Sequence, residues 1–165
     1  MPATKPSAAS NGKTRPTENA FRELIRTFGL AERVMQPYFA RFGISGAQWG
    51  VLRNLHRAEQ EGLSGLRLTD LSQRMLIRPP SVTGIADRLE KVGLIVRRAS
   101  ETDGRAKHVA LTAKGRQLVE EVLTVHQAQI ARVMGGLTAD EQEQLDQLLV
   151  QLSEHLVVLA EGTVS

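Results

Sequence analysis

The chain has 165 residues, a formal net charge of +3 and no cysteine. This length suits one domain with a real core, and the lack of cysteine excludes disulfides, thiolate metal sites and thiol redox sensing. No apolar run approaches the roughly 20 residues that span a bilayer, and the N-terminus has no apolar secretion signal. We therefore expect a cytoplasmic protein with no membrane partner.

Charge is distributed unevenly along the chain. Residues 66–116 contain eleven Lys and Arg against five Asp and Glu, whereas residues 117–165 contain one against eight. A basic cluster of this kind indicates contact with a polyanion. The middle third is predicted to face nucleic acid and the acidic C-terminal third to have another role. On charge alone, a solvated charged surface is the alternative.

The N-terminal third is predicted to be a tail followed by two helices. Residues 1–16 are small, polar and proline-containing, which predicts a disordered, weakly basic tail. Apolar residues then recur at steps of three and four as far as Phe42, predicting one long helix that ends at Gly43. Ser45 and Gln48 have the spacing of a capping box, which opens a second helix.

The middle of the chain is predicted to form two short helices and a hairpin. Thr69 caps the third helix, and Pro79 and Pro80 begin the fourth, because proline is tolerated in a first turn. The fourth helix is predicted to turn five residues inward: Val82, Ile85, Ala86, Leu89 and Val92. Asp103-Gly104, between alternating runs at 94–100 and 106–111, is a strong hairpin signal. Residues 66–68 are predicted to form a short strand beside that hairpin.

Two long helices are predicted to complete the chain. Thr112 opens the fifth, and a capping-box pattern from Thr138 to Glu141 precedes the sixth. The sixth has leucines at nearly heptad spacing: Leu145, Leu148, Leu149, Leu152, Leu156 and Leu159. Such a helix either packs on its own domain or pairs with a second copy. We favour the second copy, because both helices are long relative to the small core that they could cover.

Several sequence motifs follow one another in a fixed order along the middle of the chain. They are Leu68-Thr-Asp-Leu-Ser-Gln-Arg, Asp87-Arg-Leu-Glu, Gly93-Leu94, Asp103-x-Arg105 and Leu111-Thr112 with Gly115. This ordered set resembles the MarR family of bacterial transcription regulators. The resemblance covers about residues 17–161. It implies a mainly α fold with a small β-wing: a winged helix-turn-helix with six helices, in an obligate-type dimer.

The resemblance also implies a division of the chain. Residues 1–16 would be the tail, 17–62 the N-terminal dimerisation and linking helices, 63–112 the DNA-binding lobe, and 113–161 the C-terminal dimerisation helices. A homodimer would be joined by the first, fifth and sixth helices. It would place its two recognition helices, the fourth helix of each copy, in successive major grooves of double-stranded DNA. That geometry predicts a pseudo-palindromic operator.

The implied function is a sequence-specific transcription regulator, a repressor that a small aromatic or phenolic effector releases from its operator. The alternative is a helical dimerisation and protein-interaction module with a degenerate winged helix. Phosphate-loop, nucleophile-elbow and metal-binding motifs are missing from the sequence. We therefore expect no enzyme activity, no catalytic residue, no cofactor and no metal.

Nine residues are predicted to contact DNA: Arg78, Pro80, Ser81, Thr83, Arg88, Arg97, Arg98, Arg105 and Lys107. Residues at the start of a recognition helix meet base edges, and arginine can bind guanine in bidentate fashion. Arg105 at the wing tip would enter the minor groove, where negative potential attracts guanidinium, and Asp103 would orient it. Lys107, Arg97 and Arg98 would hold phosphates.

Alternatives remain open for four of these residues. Arg88 could pair with acidic neighbours on its own helix, either Arg97 or Arg98 could be a simple outward strand residue, and Arg105 could be simply exposed on the surface. The chain also departs from the family pattern where Arg78 precedes two prolines and where Gly84 follows the Val-Thr pair. Both departures remove groups that could contact DNA.

An effector pocket is predicted, by resemblance, between the dimer helices and the DNA-binding lobe. Four residues of the first two helices are placed to line it: Tyr38, Trp49, Arg53 and His56. The alternative is that Trp49 belongs to the ordinary core. The four histidines of the chain are predicted to be surface or partly buried residues rather than metal ligands.

Overall fold

A computed structural model of the protein describes residues 16–99 and 107–162. Within them, six helices flank a two-stranded antiparallel wing, which confirms the predicted winged helix-turn-helix. The elements are α1 (Pro16–Ala40), α2 (Gly46–Gln60), α3 (Leu68–Met75), α4 (Pro79–Lys91), β1 (Ile95–Ala99), β2 (Lys107–Leu111), α5 (Ala113–Met134) and α6 (Ala139–Gly162). No helix in this described part is long and apolar enough to cross a membrane.

Local hydrogen bonds explain where the helices begin. The Ser45 hydroxyl accepts from the Gln48 amide at 3.2 Å, and the Gln48 side chain accepts from the Ser45 amide at 2.8 Å. This is the predicted capping box. The Thr112 hydroxyl similarly accepts from the Gly115 amide at 3.0 Å and caps α5. Both predicted helix starts are confirmed.

The start of α3 corrects one sequence expectation. The helix begins at Leu68, and Arg67, not Thr69, occupies the N-cap position. The cause is the Asp70 carboxylate, which accepts the backbone N–H of Arg67 at 3.2 Å. This bond satisfies a backbone donor at the start of the helix, so the helix opens before the threonine that was predicted to cap it.

The hydrophobic core lies in the middle of the chain. Buried apolar side chains of the first five helices and both strands form one cluster, whose fully buried members are Val51, Leu52, Leu55, Ala58, Leu71, Val82, Ala86, Leu89, Ile95, Val109, Leu111, Val119 and Val122. All core residues in the described part lie between Tyr38 and Val122. We call this body the lobe core.

The base of the wing packs into the lobe core. Ile95 pairs with Leu111, and the register continues to Ala99 opposite Lys107. Leu66 adds a single bridge to Val109, through hydrogen bonds of 3.0 and 2.8 Å. The strand predicted over residues 66–68 is thus reduced to one bridge residue that does pair with the hairpin.

Gly115 permits the close packing of α5 against the wing. A Cβ atom built there would lie 2.0 Å from the carbonyl oxygen of Leu94, so a side chain cannot fit without a backbone shift. The Thr112 hydroxyl donates to the Gly93 carbonyl at 2.7 Å at the same junction. The end of α4, β1 and the start of α5 therefore form one tightly packed unit.

Two outer helices leave apolar side chains uncovered. On α1, Phe21 and Phe28 are 65% and 64% exposed, and α6 contributes no buried residue. The leucine seam of α6 therefore does not pack on its own lobe in this chain. Val92 is a smaller correction: predicted to face inward, it is 51% exposed, because it follows the last turn of α4 at Lys91.

Candidate nucleic-acid interface

The turn between α3 and α4 holds the two helices of the helix-turn-helix together. The buried Ser72 hydroxyl donates to the carbonyl of Ile77 at 2.5 Å, and the Ile77 amide donates to the Ser72 carbonyl at 3.2 Å. Leu76 adopts a left-handed conformation, with φ of 52°. This compact turn fixes the direction in which α4 leaves α3.

The start of α4 faces solvent. Arg78 is the extended N-cap, and Pro79 and Pro80 occupy the first turn, where missing amide donors cost little. Arg78, Pro80, Ser81, Thr83 and Arg88 are all exposed. Five of the residues predicted to contact DNA therefore lie on the free surface of one helix.

Arg97 binds two carboxylates of α4 instead of facing solvent. Its guanidinium pairs with Asp87 at 2.5 Å and with Glu90, and its backbone N–H donates to Glu90 at 3.1 Å. The hydrogen bond to Asp87, aided by Glu90, raises the pKa of Arg97. Arg97 thus ties β1 to α4, an arrangement that competes with the phosphate contact predicted for it.

Strand alternation accounts for this position. Arg97 pairs with Val109 and shares a sheet face with Ile95, which is 2% exposed. Successive side chains point to opposite faces of a strand, so Arg97 is directed toward α4 and Arg98 away from it. Arg98 is exposed and is the better placed of the two for phosphate.

The tip of the wing lies outside the described residues. It includes Asp103 and Arg105, and the description of Lys107 stops at its backbone pairing with Ala99. The orienting role of Asp103 and the DNA contacts of Arg105 and Lys107 stay predictions. Within the described part, the base of the wing presents Arg98 to solvent.

Comparison with known proteins decides the family. A MarR family model matches residues 42–106. The transcriptional repressor YetL of Bacillus subtilis is 31% identical over 125 residues, which cover 76% of this chain and 73% of that protein. The chain belongs to the MarR family. It is accordingly a DNA-binding transcription regulator rather than an enzyme.

Solved structures of MarR proteins share the fold. A mutant of MarR from E. coli, complexed with operator DNA, matches with a TM-score of 0.73 at 24% identity, covering 81% of this chain and 93% of that one. BpsR of Bordetella bronchiseptica matches with a TM-score of 0.73 at 26% identity, covering 82% and 99%. Regulation of DNA binding by 6-hydroxynicotinic acid is described for BpsR.

Two of the residues predicted to line an effector pocket in this MarR protein, Tyr38 and Trp49, contact His126, a residue that was not predicted to belong to the pocket. Nδ1 of His126, on α5, lies 3.2 Å from the Tyr38 hydroxyl, and its ring centroid lies 5.1 Å from that of Trp49. Arg53 contacts His56, with Nη1 3.0 Å from Nδ1. The partners of His126 lie 73 to 88 residues away in sequence, so no local signal could identify it.

Burial shifts the pKa values of three residues in this region. It raises the pKa of Tyr38, and it lowers the pKa of His126 and of Arg53. The positive charge of Arg53 lowers the pKa of His126 further. Tyr38 and Trp49 are 5% and 7% exposed, which fits the alternative that they are core residues. The pocket role of the four residues stays a prediction.

A separate groove of about 680 Å³ lies between α1 and the start of α2. Phe28, Met35, Phe39 and Gly46 are among its lining residues, whereas the four residues predicted for the effector are not. Sequence periodicity does not predict such a groove, because the groove depends on how α1 and α2 pack against each other.

Proposed function

We propose that this MarR protein is a dimeric repressor that binds a pseudo-palindromic operator and leaves it when a small aromatic acid binds. The exposed start of α4 carries the proposal. Arg78, Ser81, Thr83 and Arg88 lie there without cover from the chain, on the helix whose first residues enter the major groove in helix-turn-helix proteins. The relative YetL is itself a transcriptional repressor.

DNA contacts divide into base recognition and phosphate binding. Ser81, Thr83 and Arg88, together with Arg78 and Pro80, would meet base edges. Arg98 and Lys107 would hold phosphates at the base of the wing, and Arg105, oriented by Asp103, would enter the minor groove. Arg97 would act in a different way, by holding β1 against α4 through Asp87 and Glu90.

A homodimer is supported by the apolar surface of α1 and α6. Exposed apolar side chains such as Phe21, Phe28, Leu148 and Leu156 are unfavourable in water. Their burial against a second copy would lower the free energy and stabilise a dimer. Residues 17–62 and 113–161 would then provide the dimer helices, and residues 63–112 the DNA-binding lobe. A pseudo-palindromic operator matches such twofold symmetry.

An aromatic acid would act at the junction of these parts. Tyr38 and Trp49 bring aromatic rings together between α1, α2 and α5, Arg53 beside His56 supplies a positive charge, and BpsR provides a related case of control by 6-hydroxynicotinic acid. Binding there would shift α2, which packs against both α4 and α5. The test adds 6-hydroxynicotinic acid to the DNA complex of the wild type and of Arg53→Ala, and expects release only for the wild type.

The main experiment measures DNA affinity against salt concentration. The full-length protein first selects a duplex from a random library, and binding is then followed by fluorescence anisotropy. We expect a strong preference for one palindromic site and a steep loss of affinity with salt. Arg98→Ala should lower the salt slope by about 1, whereas Arg88→Ala should reduce the preference for the selected site.

Arg132→Ala is the matched control, because it removes one exposed positive charge from α5, outside the lobe. Arg105→Ala tests the wing tip: unchanged affinity at low salt would contradict its assignment. Failure to select any duplex would favour the alternative, a dimerisation and protein-interaction module. The two prolines and Gly84 at the start of α4 are the observations that favour that alternative.

A further inference from the structure

The exposed start of α4 is poor in hydrogen-bond donors. Pro79 and Pro80 have no backbone N–H, and the Thr83 hydroxyl donates to the carbonyl of Pro79 at 3.0 Å. Gly84 has no side chain. Ser81 keeps its hydroxyl, and Arg78 lies before the helix. A helix with so few free donors at this position is poorly equipped to recognise bases mainly through hydrogen bonds.

No contact within the described part of the chain requires glycine at position 84. Val82, Ile85, Ala86 and Leu89 define the buried side of α4. With about 3.6 residues per turn, Gly84 falls on the opposite side. A Cβ atom built there would meet nothing within 4 Å. Glycine in a helix interior is less stable than alanine, so the chain keeps a destabilising residue where its own packing does not require one.

The surroundings of Gly84 indicate what approaches it. Arg78, Arg88 and Lys91 are exposed on the same helix or at its cap, and they attract a polyanion. Pro80 and Thr83, exposed in the first two turns, present a ring and a methyl group. We call Pro80, Thr83 and Gly84 the donor-poor patch. It combines apolar surface with an open space, next to these three cations and to Asp87, whose carboxylate pairs with Arg97.

We propose that the donor-poor patch recognises thymine C5-methyl groups in the major groove. This inference rests on the proposed function, because it requires α4 to lie in that groove. Thymine is distinguished there by its methyl group, and apolar side-chain atoms, including the threonine methyl, contact it. The missing side chain at Gly84 lets the helix backbone come closer to the base edges.

The first experiment removes the methyl groups from DNA. Each thymine of the selected duplex is replaced in turn by deoxyuridine, in both half-sites, and affinity is measured with the full-length protein. At least one replacement per half-site should weaken binding about fourfold, the value of one buried methyl group. If no deoxyuridine replacement changes affinity, or if the selected half-site contains no thymine, the inference is wrong.

A pair of Thr83 variants tests the protein side. Thr83→Val keeps a methyl group and loses the hydroxyl, whereas Thr83→Ser keeps the hydroxyl and loses the methyl group. We expect Thr83→Val to retain affinity for the selected duplex and Thr83→Ser to lose about fourfold. With deoxyuridine at the sensitive position, Thr83→Ser and the wild type should bind equally. The reverse order of the two variants would show hydrogen-bond recognition and overturn the inference.

Gly84→Ala separates DNA recognition from folding. The substitution should raise the Tm of the free protein by about 2–4 °C, since alanine favours the helix. It should also weaken binding to the selected duplex about tenfold, because a methyl group enters a close contact. The salt slope should not change, since no phosphate contact is removed. Equal or tighter specific binding by Gly84→Ala would overturn the role of Gly84.

The two levels of proposal fail in different ways. If the wild type selects no duplex, the proposed function fails and the inference fails with it. If it binds a selected palindrome with steep salt dependence but is insensitive to every methyl deletion, the proposed function stands and the inference alone is refuted.

Discussion

The lobe core and the outer helices of this protein contain the same types of aliphatic residue but differ in how far they bury them. Between Tyr38 and Val122, leucine and valine residues such as Leu52 and Val119 are completely enclosed by the chain. On α6, Leu148 and Leu156 are 64% and 49% exposed. The lobe core is therefore complete within one chain, whereas the apolar surface of α6 requires another surface for its burial. The two regions should respond differently to mutation and to protein concentration.

The largest effect is expected where the outer helices would meet a second copy. Leu152→Lys with Leu156→Lys places four positive charges in the dimer interface and should weaken it by about 6 kcal/mol, the burial free energy of four leucines at the low end. Light scattering should then give a mass of 18.1 kDa, in place of twice that value for the wild type. Binding to a palindromic duplex should weaken as well.

The control is Gln147→Lys with Gln151→Lys, which adds the same charge on the opposite side of α6. It should leave the mass unchanged. Two results would contradict burial of α6 against a second copy. One is a wild type that is monomeric at micromolar concentration, and the other is a leucine variant with the mass of the wild type.

An intermediate effect is expected inside the lobe. Gly115→Ala forces a Cβ atom against the Leu94 carbonyl, at 2.0 Å before relaxation. The substitution should destabilise the fold by about 3 kcal/mol and lower Tm by about 6–12 °C. Differential scanning calorimetry measures the change. Gly136→Ala is the control, because nothing lies within 4 Å of its Cβ position, and a Tm equal to that of Gly115→Ala would contradict the packing argument.

The smallest effect concerns the contact between α1 and α5, where His126 meets Tyr38 at the edge of the lobe core. Burial lowers the pKa of His126 below its usual 6.5, so the unfolded state binds its proton more readily. Stability from this group is complete above about pH 6.5 and is lost as the pH falls below it, by at most about 1.4 kcal/mol per pH unit. Urea unfolding of the wild type and of His126→Gln between pH 7.5 and 5.5 measures the difference.

His155→Gln provides the comparison, since His155 is exposed on α6. It should retain the pH dependence of the wild type, and His126→Gln should reduce it. Equal pH dependence in all three proteins would show that the contact between His126 and Tyr38 does not contribute.

Local signals predicted most of the fold. Ser45 and Thr112 cap helices through bonds between residues three positions apart, and such bonds are visible in a sequence. The bond between Asp70 and the Arg67 amide at the start of α3 is local too, but threonine is a typical N-cap residue and arginine is not, so the sequence favours Thr69 over Arg67. Helix order and the wing followed from apolar periodicity and from the Asp-Gly pair.

The site was harder to predict because its contacts join distant parts of the chain. The Tyr38 hydroxyl and His126 are 88 residues apart, and no periodicity relates them. Arg97 was predictable in part: alternation from Ile95 directs it inward, and Asp87 and Glu90 lie three residues apart on one helix. What the sequence did not specify was that β1 returns across this side of α4, since that depends on tertiary packing.

The ion pairs of Arg97 also shape the electrostatic potential of the exposed side of α4. Asp87 and Glu90 lie on the same helix as Arg88 and Lys91, so unpaired carboxylates there would repel the phosphates that these cations attract. Arg97 offsets much of that negative charge from within the fold. The helix can therefore carry acidic residues with little loss of attraction for a polyanion. Lysine in this position would be a weaker substitute, because only a guanidinium presents a planar fork to two carboxylates at once.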